Sequence, residues 1–255
     1  MSKLVNVDRP QTSLIRLTLN NPRKRNALDA DMRNELITEF RSAIADEQAR
    51  AIILTGAGAT FCAGGDIASM GTLDEHGGMR RMTLNHELVR ILYHCQKPVI
   101  CALEGAAMGA GAGLALLCDI IVAGENAHIG FPFFKLGLVP DYGLLHTLPL
   151  RVGIAQARML LLRSDAVNAK RAKELGLVDF VYPDFRVQDE AAMLALEMGA
   201  QPRFAFGMAK NVLGLFPMAF DQALAVERTA QVGCFLSNDH DEGVAAYREQ
   251  RKAEF

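Results

Sequence analysis

The run GAAMGAGAG at residues 105–113 is glycine and alanine with a single methionine, and it joins an apolar strand-like run to an apolar helix-like one. A turn of such residues leaves its peptide N–H groups uncovered by side chains. A helix N-terminus adds unpaired donors and the positive end of the backbone dipole. The chemistry this suits is the holding of a negative oxygen. A second small-residue loop, GAGATFCAGGD at 56–66, also follows a buried strand and opens into a helix, so two such units could converge on one oxygen. For the glycines alone a second reading stays open, plain close packing of a helix. A dinucleotide fingerprint does not fit. Gly109, Gly111 and Gly113 are spaced G-x-G-x-G, the third fingerprint glycine would fall on Leu114, and no phosphate-binding lysine follows.

Strands and helices must position these loops. Residues 99–103 predict a buried strand and 114–121 an apolar helix, too short between Glu104 and Asp119 for the roughly 20 residues that cross a bilayer. Residues 14–19 alternate Ile15, Leu17 and Leu19 on one face, a half-buried strand ending in the basic turn NNPRKRNALD with Arg23, Lys24 and Arg25. Asp29 then caps a helix whose apolar face is Met32, Leu36, Phe40 and Ile44. A strand at 51–55 feeds the second small-residue loop, where Asp66 is read as an N-cap. Residues 73–78 read as a mobile polar loop, and 79–95 as an amphipathic helix with Met82, His86, Val89 and Tyr93 near one side. Pro140, Asp141 and Gly143 mark a turn before another helix. Helices at 153–162 and 168–175 and a strand at 178–182 follow. No strand signal appears from Val187 onward, so a strand-and-helix core at 1–195 is followed by an all-helical region at 196–255.

With 255 residues, half of them hydrophobic, the chain can build a sizeable core. Its net charge of −2 with scattered Lys and Arg leaves no footprint for nucleic acid. The start MSKLVNVDRPQ has no apolar leader, and a cytoplasmic location without membrane attachment is expected. Five cysteines in apolar runs, without metal-ligand spacing, read as reduced buried thiols. Neither H-E-x-x-H nor G-x-S-x-G occurs, so a zincin or a serine hydrolase is unsupported and no metal is expected.

The motifs NPRKRNALD, TGAGATFCAGGDI, KPVICALEGAAMGAGAGLALLCDIIVAGENAHIG, KLGLVPDYG, AKELGLVDFVYP and EGVAAYREQRKAEF occur in this order over nearly the whole chain. Together they resemble the crotonase, or enoyl-CoA hydratase/isomerase, superfamily. The resemblance implies an α/β spiral of repeated strand–strand–helix units with a C-terminal helical trimerisation region. It also implies an acyl-CoA thioester as ligand, with no cofactor beyond the coenzyme A of the substrate, and a homotrimer or hexamer. The thioester oxygen would be held by the N–H groups of Gly65 and Ala110, where the family usually has glycine at the second position. Ala63, Asp66, Ile67, Gly109 and Phe133 would surround substrate and CoA.

The two glutamates of the family's hydratases map onto Gly113 and Phe133, neither of which can transfer a proton. The one well-placed carboxylate is Asp141. Its turn resembles the aspartate-bearing isomerase branch, the ring-epoxide and enoyl-CoA isomerases of phenylacetate catabolism. Asp141 is either a proton shuttle or an ordinary helix cap. One carboxylate suits a 1,3-proton transfer that shifts a double bond, whereas hydration needs an acid and a base around a held water. The alternatives are hydration or another CoA-thioester chemistry with Asp141 as nucleophile, and a CoA-binding protein with little catalysis. Met70, Phe131, Phe133, Phe134 and Leu138 would wall an acyl pocket, with His86 and Tyr142 as further contacts. Lys24 and Arg25 suit the CoA phosphates or are plain surface charge. Tyr247 sits at the family's adenine-contacting aromatic position, while Gln250 replaces the usual lysine, with Arg251 or Lys252 as substitutes.

Overall fold

A computed structural model describes residues 3–71 and 73–255. The chain enters through a hairpin, β1 (Val5–Gln11) and β2 (Leu14–Leu19), followed by α1 (Ala30–Ala45), β3 (Ala51–Gly56) and α2 (Glu75–Tyr93). The next two units have the same form: β4 (Val99–Leu103), β5 (Ala106–Met108), α3 (Ala110–Leu116), then β6 (Ile120–Gly124), β7 (His128–Gly130), α4 (Leu144–Leu162). Then come β8 (Ala166–Asn168), α5 (Ala169–Leu175), β9 (Phe180–Tyr182), α6 (Val187–Gly199), α7 (Arg203–Leu213), α8 (Phe220–Phe235) and α9 (Asn238–Glu249).

Long and short strands form two layers. The larger sheet has the order β1-β2-β3-β4-β6-β9, parallel except for the first hairpin, and the smaller has the order β5-β7-β8. Cys62 pairs in parallel with Ala107, which extends the inner layer back to the loop after β3, so three strand–strand–helix turns stack as a spiral. Alternation on β3 shows how the layers are filled. Ile52 and Leu54 face α1 and α2 among Met32, Leu36, Phe40, Leu88 and Leu92, while Ala51 and Ile53 face Val187, Ala191 and Ala195 of α6. A strand covered on both faces reads as a continuous apolar run, as VICAL does in β4. Residue 195, where the sequence divides core from tail, lies inside α6, on the face packed against this sheet. No helix among the described residues is long and apolar enough to cross a membrane.

Several local expectations are met. Asp29 caps α1 by accepting from Met32 N at 2.9 Å, and Asp66 caps the short 3-10 turn Ile67–Met70. α4 is two helices end to end, broken at Gly153 (φ 75, ψ 156). Cys62, Cys95, Cys101 and Cys118 are buried free thiols, and Cys234 is half-buried.

Other expectations need correction. The apolar run 114–121 is not one helix: α3 closes at Leu116, and Ile120 and Ile121 start β6, where β-branched residues complete the parallel sheet beside β4. The stretch 73–78 is not wholly a loop, because Asp74 accepts from Gly77 N at 2.7 Å and starts α2 at Glu75; Thr72 lies outside the described residues. The buried stripe of α2 is Asn85, Leu88 and Leu92, with the expected Met82, Val89 and Tyr93 beside it and His86 exposed.

Candidate active site

The two small-residue loops meet. Gly64 adopts φ 101, and a methyl group on it would stand 2.7 Å from Met108 O and 3.6 Å from Ala110 N, so only glycine permits the approach. Ladder bonds lock the loops on either side: Cys62 N to Ala106 O at 3.0 Å, Met108 N to Cys62 O at 2.9 Å, and Leu28 N to Gly64 O at 2.7 Å. Gly65 and Ala110 follow directly, and among the described residues neither N–H has an intramolecular acceptor. Gly109, at φ 52, caps α3, so Ala110 is the first residue of a helix and carries one of its free donors.

Both residues line a cavity of 90 Å³ together with Arg33, Ala63, Ile67, Met70, Arg81, Gly109, Phe133, Leu138 and Asp141. Asp141 is the one carboxylate among the described lining residues. Its two oxygens differ. Oδ2 accepts from Asn85 Nδ2 at 3.3 Å, while Oδ1 is buried without any partner. Burial pushes the Asp141 carboxyl above its ordinary value, against the opposing pull of the Arg33 and Arg81 guanidinium groups. A chain of hydrogen bonds holds it from behind: Arg33 Nε donates to Tyr142 Oη at 3.0 Å, Tyr142 Oη to Asn85 Oδ1 at 3.4 Å, and Asn85 to Asp141. The direction of this relay leaves the Asn85 amide nitrogen toward the carboxylate, which fixes Oδ2.

The structure thus brings Gly65, Ala110, Asp141, Ala63, Ile67, Gly109 and Phe133 to one place, with Met70 and Leu138 as walls. Phe131 is instead fully buried core, and Phe134 is 44 % exposed outside the cavity. Tyr142 does not line the cavity; its hydroxyl is held by Arg33 and Asn85, and burial raises its proton affinity. His86 is exposed and also outside the lining.

Lys24 ion-pairs with Asp66 at 3.3 Å and Asp29 at 3.5 Å, and both carboxylates raise its proton affinity. Arg25 is exposed in the left-handed conformation, and its carbonyl accepts from Ala63 N at 2.9 Å. Tyr247, 86 % exposed on α9, lines a different cleft with Pro202, Val244 and Phe255. Arg251 is ion-paired with Glu242 and Glu249, each at 2.6 Å, which leaves Lys252 as the freer cation near Gln250.

Arg33, Arg81 and Asn85 are site residues that the sequence reading missed. The signal for Arg33 was a cation between Met32 and the buried pair Leu36 and Ile37 of α1; for Asn85 it was an amide at the period of Leu88 and Leu92. The expected glutamate positions hold no acid. Gly113 is buried in α3, and a methyl group on it would stand 2.4 Å from Tyr142 Cβ; Phe133 lays its ring near Gly109. A larger cleft of 560 Å³, lined by Arg50, Lys97 and Arg203, contains no carboxylate among its described lining residues. These three cations donate to carbonyls at or just beyond the ends of α1 and α6, an ordinary capping role.

Two N–H donors without intramolecular acceptors and one carboxylate thus line the same cavity. Residues 9–255 match the Enoyl-CoA hydratase/isomerase family, to which the chain belongs. It is 36 % identical over 251 residues to the 1,2-epoxyphenylacetyl-CoA isomerase of Escherichia coli, covering 96 % of this chain and 95 % of the relative. It is 35 % identical to the 2,3-dehydroadipyl-CoA hydratase of the same organism, covering 100 % and 99 %. The crystal structure of an enoyl-CoA hydratase from Bacillus anthracis superposes with a TM-score of 0.93 at 28 % identity, covering 99 % of this chain and 98 % of that one. The crotonase-type spiral and the similarity to the aspartate-bearing isomerase branch therefore stand, and the named relatives include both isomerases and hydratases.

Proposed function

We propose that this chain is an acyl-CoA isomerase that shifts a double bond by 1,3-proton transfer. The acyl thioester lies with its carbonyl oxygen between the N–H groups of Gly65 and Ala110. Asp141 Oδ1 takes a proton from the carbon next to the thioester, and the electron pair moves onto the thioester oxygen as a dienolate. The protonated Asp141 then returns the proton two carbons further along, which leaves the double bond conjugated with the thioester. The two N–H groups bond more strongly to the anion than to the neutral carbonyl, so they lower the barrier rather than only bind substrate.

The observation that carries this reading is the single carboxylate of the cavity, with one oxygen tethered and one bare. A raised proton affinity suits a group that must accept a proton and keep it through an intermediate. Hydration by a pair of carboxylates has no second acid in the described lining. Lys24 with Arg25 is proposed to meet the CoA phosphates, and Tyr247 to meet the adenine of a neighbouring subunit in a trimer or hexamer. Asp141→Asn tests the role: turnover of a 3-enoyl-CoA should fall by roughly 10²–10⁴ while the Kd of a saturated acyl-CoA changes little. Near-normal turnover by that variant would remove Asp141 from the chemistry.

A further inference from the structure

Arg33 and Arg81 line the cavity, yet the proposed proton transfer does not use them. Arg33 is 2 % exposed; its Nε is taken by Tyr142 Oη, and Arg81 donates to Ser69 Oγ at 3.0 Å. Among the described residues no carboxylate oxygen lies within 4.0 Å of either guanidinium. Both face one small volume: a methyl group on Gly65 would stand 3.1 Å from Arg81 Nη2 and 3.9 Å from Arg33 Nη2. Two cations against one carboxylate leave this apolar cavity with an excess positive charge. Burial and the Arg33 charge both lower the proton affinity of Arg81. Arg33 is taken out of water without a paired carboxylate, which is costly, whereas Arg81 is half-buried; a planar fork of donors is matched by a carboxylate.

We propose that the acyl group of the substrate carries a carboxylate at its far end, held by Arg33 and Arg81, so that the substrate is an ω-carboxyacyl-CoA. This rests on the cavity being the acyl pocket of the proposed function. The apolar walls Met70, Phe133 and Leu138 cover the methylenes, and the ligand's carboxylate balances the excess charge.

The two arginines could instead serve only to offset the enolate, and binding of saturated thioesters separates the two roles because no enolate forms. Calorimetry on the full chain with succinyl-CoA and butanoyl-CoA gives a ratio of Kd values. The expected result is a preference for succinyl-CoA of about tenfold or more, the scale of one charge-assisted hydrogen bond. Arg81→Met should bring the ratio close to one. Arg33→Lys, which keeps the charge should Arg33→Met fail to fold, should retain part of it. Equal Kd values in the unaltered protein, or a preference that survives Arg81→Met, would overturn the proposal. Failure to bind either thioester would overturn it together with the acyl-pocket reading. Turnover of a neutral 3-enoyl-CoA without any charge preference would leave the isomerase reading standing and sink this one, whereas a preference without isomerisation would do the reverse.

Discussion

Replacing Gly113 by alanine places a methyl group 2.4 Å from Tyr142 Cβ and 3.3 Å from the Tyr142 carbonyl oxygen. Carbon atoms rest about 3.5–4.0 Å apart, so one wall has to retreat by more than about 1 Å. Neither wall is the loose end of a side chain. Every residue of α3 is buried, and Tyr142 is fully buried with its hydroxyl bound to Arg33 and Asn85. Overpacking of this kind costs about 1–3 kcal/mol, and loss of the hydrogen bond to the Arg33 guanidinium adds about 1.5–3 kcal/mol. A combined cost of about 2.5–6 kcal/mol lowers Tm by roughly 5–24 °C in a chain of this size. Because Tyr142 adjoins Asp141, turnover should fall further than the folded fraction explains. Thermal melts followed by circular dichroism, with turnover measured well below both transitions, read the two effects separately. A Gly113→Ala variant with unchanged Tm and kcat would refute the packing of α3 against Tyr142, and with it the reason why a glutamate cannot stand at this position.

Asn85→Leu removes the donor to Asp141 Oδ2, which favours the ionised carboxylate; the proton affinity of Asp141, already raised by burial, should rise again. A base works unprotonated, so the acid limb of kcat/KM should move to higher pH, and an unmoved limb would remove Asn85 from the relay. Asp141 also makes stability depend on pH. Between its ordinary value of 3.8 and its raised native value the folded chain holds more protons than the unfolded chain, so stability falls as pH rises through that window. Asp141→Asn should lack this fall and show a higher urea midpoint than the parent at about pH 8; equal midpoints there would contradict the burial cost. Cys62, fully buried and with its thiol pushed up to about 12 by that burial, should resist alkylation in the native state along with Cys95, Cys101 and Cys118. Mass spectrometry should find early labelling at Cys234 alone.

The parts of the fold that follow from local chemistry were legible in the sequence. Asp29 announces α1, the VICAL run announces a strand covered on both faces, and the two glycine-rich loops announce bare N–H groups after strands. The break after Leu116 was hidden because residues 114–121 are apolar throughout, and only pairing of Ile120 with Ile100 decides between helix and strand there. β5, β7 and β8 have three residues each and carry too little periodicity to announce themselves. In the site, Asp141 and the two N–H donors were legible through the motifs that flank them. Arg33 and Asn85 were not, and Tyr142 was read only as a substrate contact, because their hydrogen bonds join positions 109 and 57 residues apart and arise only when α1 and α2 fold over the turn at Asp141. The burial of Phe131 and the exposure of Phe134 likewise depend on how the 3-10 turn Pro132–Leu136 lies, which aromatic content alone does not specify.

The central claim is that one carboxylate moves a proton while two peptide N–H groups hold the anion. Its most direct test supplies the purified protein with a 3-enoyl-CoA and, separately, with the corresponding 2-enoyl-CoA, each with and without a terminal carboxylate. Absorbance of the conjugated thioester follows both reactions. The account predicts that the 3-enoyl substrates gain conjugation and that the 2-enoyl substrates are not hydrated. Rapid loss of conjugation from the 2-enoyl substrates through addition of water would contradict it, because hydration would require a second acid–base group in a cavity whose described lining offers only Asp141.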